Sequence, residues 1–238
     1  MTTLFTSLTE SDKRGAVERL IADSTPRDDF FLMIVLSVVM ATFGLLMGSG
    51  SIIIGSMLIA PLLSPILGFS MGIVMADRAL IVRSALTVLK SMAFALPASI
   101  VVALFFSRLA GLGPELNLEI VARLEPDVIS AFVALVAGLA ASYAIVRPQL
   151  SASLPGVVVS VALIPPLAVT GIGIARFDWA IIADSFVLFL INVALIVFAS
   201  SVVFSLTRLY TKQPLAEQAL KKEDEKMRRE VERSNGHR

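Results

Sequence analysis

Long apolar runs separated by short polar joints set the plan of this 238-residue chain. A helix needs about 20 apolar residues to cross a hydrocarbon core of about 30 Å. Six runs reach that length: Phe30 to Met47, Ile52 to Met75, Leu80 to Phe106, Asp127 to Val146, Leu154 to Ala175 and Trp179 to Thr207. The joints are short except for Ser107 to Pro126, which holds Gly111, Gly113, Pro114 and Asn117 together with Glu115, Glu119 and Glu125. That loop is the natural midpoint, with three spans on either side. An odd number of spans per half makes the second trio enter the bilayer from the opposite face, which is the pattern of an inverted repeat. The expected fold is an all-α polytopic membrane helix bundle in a three-plus-three inverted repeat. Residues 1–29 form a polar segment, 30–207 the membrane core with repeats 30–107 and 127–207, and 208–238 a charged tail.

The second and fifth runs are interrupted at matching places. The first of them reads Ile52-Ile-Ile-Gly-Ser-Met-Leu-Ile-Ala-Pro61-Leu-Leu-Ser-Pro65-Ile-Leu-Gly68, and the other Val157-Val-Val-Ser-Val-Ala-Leu-Ile-Pro-Pro166-Leu-Ala-Val-Thr-Gly-Ile-Gly173. A proline removes a backbone hydrogen bond that lipid cannot replace, so both spans are expected to be broken or kinked. A slide of 105 residues superposes Pro61-Leu62 on Pro166-Leu167 and Gly68 on Gly173. A slide of 101 places Asp77-Arg78-Ala79 over Asp178-Trp179-Ala180, two turns whose aspartates suit helix N-caps.

Composition agrees with a bilayer setting: 56% of residues are hydrophobic, 16% are charged, and mean hydropathy is +0.86. Between Phe30 and Thr207 there are only seven Lys/Arg and seven Asp/Glu among the 39 charged residues, so charge is concentrated at the two ends. Cysteine is absent and the one histidine, His237, is in the tail, leaving thiolate or imidazole metal sites and His-based catalysis without a candidate in the core. No enzyme activity and no cofactor are expected. A net charge of +1 with no basic stripe and interleaved aromatics gives no sign of nucleic-acid binding. With both termini in the cytoplasm, Lys13, Arg14, Arg19, Arg27, Arg78, Arg83, Arg147, Arg208, Lys212 and the tail cations lie inside, against Arg108, Arg123 and Arg176 outside.

The ordered motifs Gly55-Ser-Met-Leu-Ile-Ala-Pro-Leu-Leu-Ser-Pro-Ile66, Leu154-Pro-Gly156, Ala162-Leu-Ile-Pro-Pro-Leu167 and Asp178-Trp179 with Leu188-Phe-Leu-Ile-Asn-Val193 resemble a bacterial and archaeal membrane family. It is the one catalogued as domain of unknown function number 389. Ser56 and Leu63 stand where the family's first motif is expected to carry Ala and Met. The resemblance implies a multi-pass protein of the bacterial or archaeal cytoplasmic membrane, and it supplies no substrate and no catalytic residues.

Candidate pathway residues follow from the breaks and from polar groups at depth. Freed carbonyls and amides around Pro61, Pro65, Pro165 and Pro166 need partners, and Ser56, Ser64, Ser160 and Thr170 offer hydroxyls beside them. Half-helix amides favour anions and unwound carbonyls favour cations, which leaves the charge of a solute open. Lys90 stands about 15 Å along the third span, where it either faces a cavity or snorkels to the interface. The 101-residue slide puts Asp184 over Arg83 and Asn192 over Ser91. Asp184 could equally serve its helix dipole, and Asn192 could be an interhelical hydrogen bond. Gly44-Leu-Leu-Met-Gly48 and Gly68-Phe-Ser-Met-Gly72 suit close helix packing within one chain or in a homo-oligomer. Thr9 to Asp23 reads as an amphipathic helix with Val17, Leu20 and Ile21 on one face. The leading expectation is a small-solute or ion transporter or channel; the alternative is a scaffold or regulatory subunit acting through its charged tail.

Overall fold

A computed structural model describes residues 9–25, 27–110, 116–124, 127–147, 150 and 155–235, with backbone alone along 155–162, 231–235 and at single positions elsewhere. Among the described residues the chain is all helix. Helix α1, Glu10–Asp23, starts at a capping box in which the Thr9 hydroxyl accepts from the Asp12 amide and the Asp12 carboxylate accepts from the Thr9 amide. Its apolar face of Ala16, Val17, Leu20 and Ile21 is buried against the rest of the molecule. The amphipathic reading of this segment is therefore realised as packing onto the bundle.

Helix α2 spans Asp28–Leu46 and α3 Gly50–Ile59. Ala60 is extended, with φ −75° and ψ 119°, and Pro61 brings no amide hydrogen, so the helix stops and restarts as α4, Leu63–Met75. The two pieces meet at a bend of 55°. Helix α5 covers Arg78–Ala110 and continues through Pro97. Its 33 residues run to about 50 Å, well beyond a hydrocarbon core. A short α6, Leu118–Val121, is capped by Asn117, whose side-chain amide also donates to the Leu45 carbonyl and ties the central loop to the end of α2. Then come α7, Val128–Val146, α8, Pro155–Arg176, and α9, Trp179–Leu206. A 3-10 turn at Leu209–Lys212 leads to α10, Gln213–Asn235, which packs on α1.

Four of these helices, α2, α5, α7 and α9, are long and apolar enough to cross a membrane, and the bent pair α3 and α4 qualifies as a fifth span. The fifth run differs from its expectation. Helix α8 passes through Pro165 and Pro166 without a break, although the missing amides leave the carbonyls of residues 161 and 162 without their usual helical donors. The physical reason is confinement. Helix α8 packs against α2, α3, α4, α5, α7 and α9, and every residue from Leu163 to Ile172 is buried. A helix apolar all round and gripped from every side has nowhere to swing.

One corner is built three times. Gly72 lies four residues before Ala76, which takes left-handed φ 54°; the Asp77 amide returns to the Gly72 carbonyl at 2.9 Å, and a Cβ on Gly72 would fall 2.9 Å from the Ile81 backbone nitrogen. In the same way Gly173 precedes Phe177, with φ 57°, the Asp178 amide reaches the Gly173 carbonyl at 3.0 Å, and Ile182 N lies 3.0 Å from the Cβ position. Gly44, Gly48, Ser49 and Ile53 repeat the arrangement at the end of α2, with Gly48 at φ 65°. Each is a Schellman close that turns one helix tightly onto the next, and the missing Cβ permits the approach. Helices α2 and α7 also occupy matching stretches, 28–46 and 128–146, and α5 and α9 begin at 78 and 179.

Candidate functional site

The break at 60–62 separates α3 from α4, both of which contact α8, and Ala60 and Leu62 within it are buried. Hydroxyls from neighbouring elements take up the backbone around it. Ser37 on α2 donates to the Ser56 carbonyl at 2.7 Å, and the Ser56 hydroxyl turns back to the Ile53 carbonyl at 2.6 Å. Ser24, at the end of α1, donates to the Ser64 carbonyl at 2.9 Å. Pro65 is buried, whereas Pro61 and Ser64 are half-buried. A protein hydroxyl thus replaces, at the Ser56 carbonyl, a donor that lipid cannot supply.

Beside it, Gly68 leaves room for two hydroxyls. A Cβ there would collide with the Ser24 hydroxyl and come within 2.8 Å of the Ser84 hydroxyl. Ser84 is fully buried and its hydroxyl has no hydrogen-bond partner among the described residues. Thr87, one turn further along α5, donates to the Arg83 carbonyl at 2.9 Å and reaches the Ser24 carbonyl at 3.4 Å.

On α8, Pro165 and Pro166 are buried, the Thr170 hydroxyl lies 2.9 Å from the Pro166 carbonyl, and it is also within hydrogen-bond distance, 2.9 Å, of the Ser185 hydroxyl on α9. The side chain of Ser160 lies outside the described residues. Asn192 is buried on the inner face of α9. Ser91, its counterpart 101 residues earlier, is buried on α5 and donates to the Thr87 carbonyl at 2.8 Å.

The charged candidates lie elsewhere. Lys90 and Asp184 are both exposed on the outside of the bundle. Interhelical hydrogen bonds set their level along the helices. Thr42 on α2 donates to Ser99 on α5 at 3.0 Å, which sets the register of the two helices and brings Asp28 level with residue 85. Lys90 is five residues further, about 7.5 Å, a depth from which a lysine snorkels back to the headgroups. The Ser142 to Ser200 bond of 2.8 Å sets α7 against α9 and brings Val128 level with residue 186, so Asp184 lies just outside that level. The same register places Asn192 level with Ala134, about 9 Å inside it. Neither the Asp184 carboxylate nor the Lys90 ammonium enters the bundle interior; among the described residues the buried polar groups along the spans are hydroxyls and the Asn192 amide, and the buried carboxylate of Asp77 stands at the turn between α4 and α5.

Several of the groups that matter had no distinguishing mark in the sequence taken one residue at a time. Ser99 links three helices by accepting from Thr42 and donating to the Ala168 carbonyl at 2.8 Å. Aligning the halves would have found part of this, because Thr42 and Ser142 differ by 100 positions and Ser99 and Ser200 by 101, and each pair forms the same bond. Ser24 and Ser37 have no such counterpart signal.

Apolar helices of membrane length, a bent pair among them and interhelical hydroxyl bonds fit a helical membrane protein. The match to the family described as Domain of unknown function (DUF389), over residues 57–198, covers more than half of the chain, and the protein belongs to that family. An uncharacterized protein of the archaeon Methanocaldococcus jannaschii is 30% identical over 216 residues, 86% of this chain and 65% of the relative. The chain therefore spans about 65% of the length of that curated relative. No solved structure matches it.

Proposed function

We propose that this protein is a six-span transporter or channel for a small solute or ion in the bacterial or archaeal cytoplasmic membrane, with its pathway along the break at 60–62 and the facing part of α8. The observation that carries this reading is the bend of 55° inside a span, set in a bundle interior furnished with buried hydroxyls and Asn192. Broken spans at membrane depth are tolerated where they are buried in protein or line a cavity, and in transporters they hold the solute. Hydroxyls, carbonyls and the Asn192 amide beside the break suit a small ion stripped of part of its water, or a neutral polar solute. The recurring corner at Gly72 and Gly173, the matched Thr42 to Ser99 and Ser142 to Ser200 bonds, and the equal lengths of α2 and α7 support a three-plus-three inverted repeat, with α8 as the fifth span. The cytoplasmic placement of both termini rests on the Lys/Arg balance, and on α1 and α10 sharing one end of the bundle with Arg83.

The test is flux in proteoliposomes across a panel of monovalent ions, organic anions, amino acids and nucleosides, with Asn192→Ala as the variant. Uptake of one class that falls at least tenfold in the variant supports the reading. No uptake of any class refutes it. A scaffold role has one observation in its favour: α10 is docked on α1, and Asp224 accepts from Arg83 at 2.8 Å. Removal of residues 214–238 with loss of a cellular phenotype but intact membrane insertion would favour that role.

A further inference from the structure

Helices α1 and α10 enclose a cleft of about 340 Å³ whose chemistry the pathway reading does not use. Its charged lining comes from both helices: Arg14, Glu18 and Arg19 on α1, and Lys222, Glu223 and Lys226 on α10. Four cations face two carboxylates. Each carboxylate already holds a cation of its own helix, Arg14 to Glu18 at 3.0 Å and Lys226 to Glu223 at 2.5 Å, and Lys222 forms no ion pair among the described residues. By residue count the lining is net positive, and its cations come from two separate elements that meet in a concave site.

Position adds to charge. The apolar face of α1 is buried in the bundle, and Ser24 at its end bonds to Ser64 while α2 begins four residues later at Asp28, so α1 lies at the level where the membrane helices emerge. A basic cleft at that level faces the phosphates of anionic lipids as well as those of soluble metabolites. We infer that the α1/α10 cleft binds a phosphate-bearing anion, supplied either by an acidic phospholipid headgroup or by a soluble phosphate compound. Phosphate suits the site because its several acceptor oxygens can engage cations on both helices at once, as a single carboxylate cannot. Occupancy would pin α10 to α1. The inference rests on the membrane placement of the bundle and is independent of transport.

The experiment uses the full-length protein in dodecyl maltoside micelles and reads thermal stability during titration with three probes: phosphatidylglycerol, phosphatidylcholine, and glycerol 3-phosphate with inorganic phosphate alongside. Stabilisation by phosphatidylglycerol well above phosphatidylcholine assigns the site to a lipid headgroup, and stabilisation by the soluble phosphates assigns it to a metabolite. In either case Lys222→Gln is expected to weaken the apparent affinity about fivefold, as the loss of one cation near an anionic surface does, and Glu18→Gln is expected to tighten it. The opposite sign of the two changes separates binding from damage. Arg228→Gln, at an exposed position on α10 outside the cleft, is expected to change nothing. Equal stabilisation by the two phospholipids with none by the soluble phosphates overturns the inference. So does no stabilisation by any probe, or a loss in Arg228→Gln as large as in Lys222→Gln.

Discussion

The same substitution, glycine to alanine, should have opposite effects at two helical sites of this bundle. At Gly55 the nearest atom to a new Cβ is the Met40 Cε at 2.8 Å, the far end of a side chain with three rotatable bonds. At Gly72 the neighbours are Ile81 Cγ1 at 2.8 Å and the Ile81 backbone nitrogen at 2.9 Å, and a main-chain atom moves only if α5 moves away from α4. Replacing an interior helical glycine by alanine is worth about 0.5–1 kcal/mol in backbone entropy and propensity. Gly55→Ala should keep most of that gain, because Met40 rotates aside. Gly72→Ala must set it against an overpacking cost of about 1–3 kcal/mol. A net loss of about 1–2 kcal/mol is expected at Gly72, which separates the two variants by about 2 kcal/mol. Gly173→Ala should behave like Gly72→Ala, since its Cβ position is 3.0 Å from Ile182 N and 2.8 Å from Ile181 Cγ2. Denaturation by sodium dodecyl sulfate in mixed micelles, followed by far-ultraviolet circular dichroism, measures the difference. Equal stabilities of Gly55→Ala and Gly72→Ala within about 0.5 kcal/mol would refute the claim that the corner depends on backbone-to-Cβ proximity.

Two further predictions concern hydrogen bonds. Ser99→Ala removes both its acceptance from Thr42 and its donation to the Ala168 carbonyl, so it should cost about twice the membrane average of roughly 0.6 kcal/mol per bond; a double-mutant cycle with Thr42→Val should return a coupling of about 0.6 kcal/mol, and a coupling of zero would break the proposed link. The pH dependence of α1 comes from Asp12, whose carboxyl is held below its ordinary value of 3.8 by hydrogen bonds from Thr9, side chain first and backbone second. A depressed carboxylate contributes its stabilisation above 3.8 and loses it as pH falls through the lowered value. Hydrogen exchange in α1 should therefore accelerate on acidification below that point, and Thr9→Ala should flatten the response; an unchanged acid response in the variant would dismiss the capping box as its source.

Apolar run length by itself pointed to helices suited to a bilayer, because a helix satisfies its backbone hydrogen bonds within its own segment. Proline spacing located the break at Pro61, and the aspartates at 77 and 178 marked the starts of α5 and α9. What a proline does to a helix was legible only as a strain, and tertiary packing decided how it was relieved. Between Ala60 and Leu62 the chain yielded and bent, with Ser37 supplying a donor to the Ser56 carbonyl, whereas through Pro165 and Pro166 α8, packed against six helices, continued unbroken. The depth of polar residues was also a tertiary matter. Lys90 looked interior by position along its span and Asp184, in the first turns of its helix, was open to either a pathway or a dipole role; the outward face of each helix put both on the surface. Ser99 and Ser84, ordinary in the sequence, became the buried polar groups because helices α2, α4 and α8 close around them, and only the packed bundle specifies which hydroxyls meet.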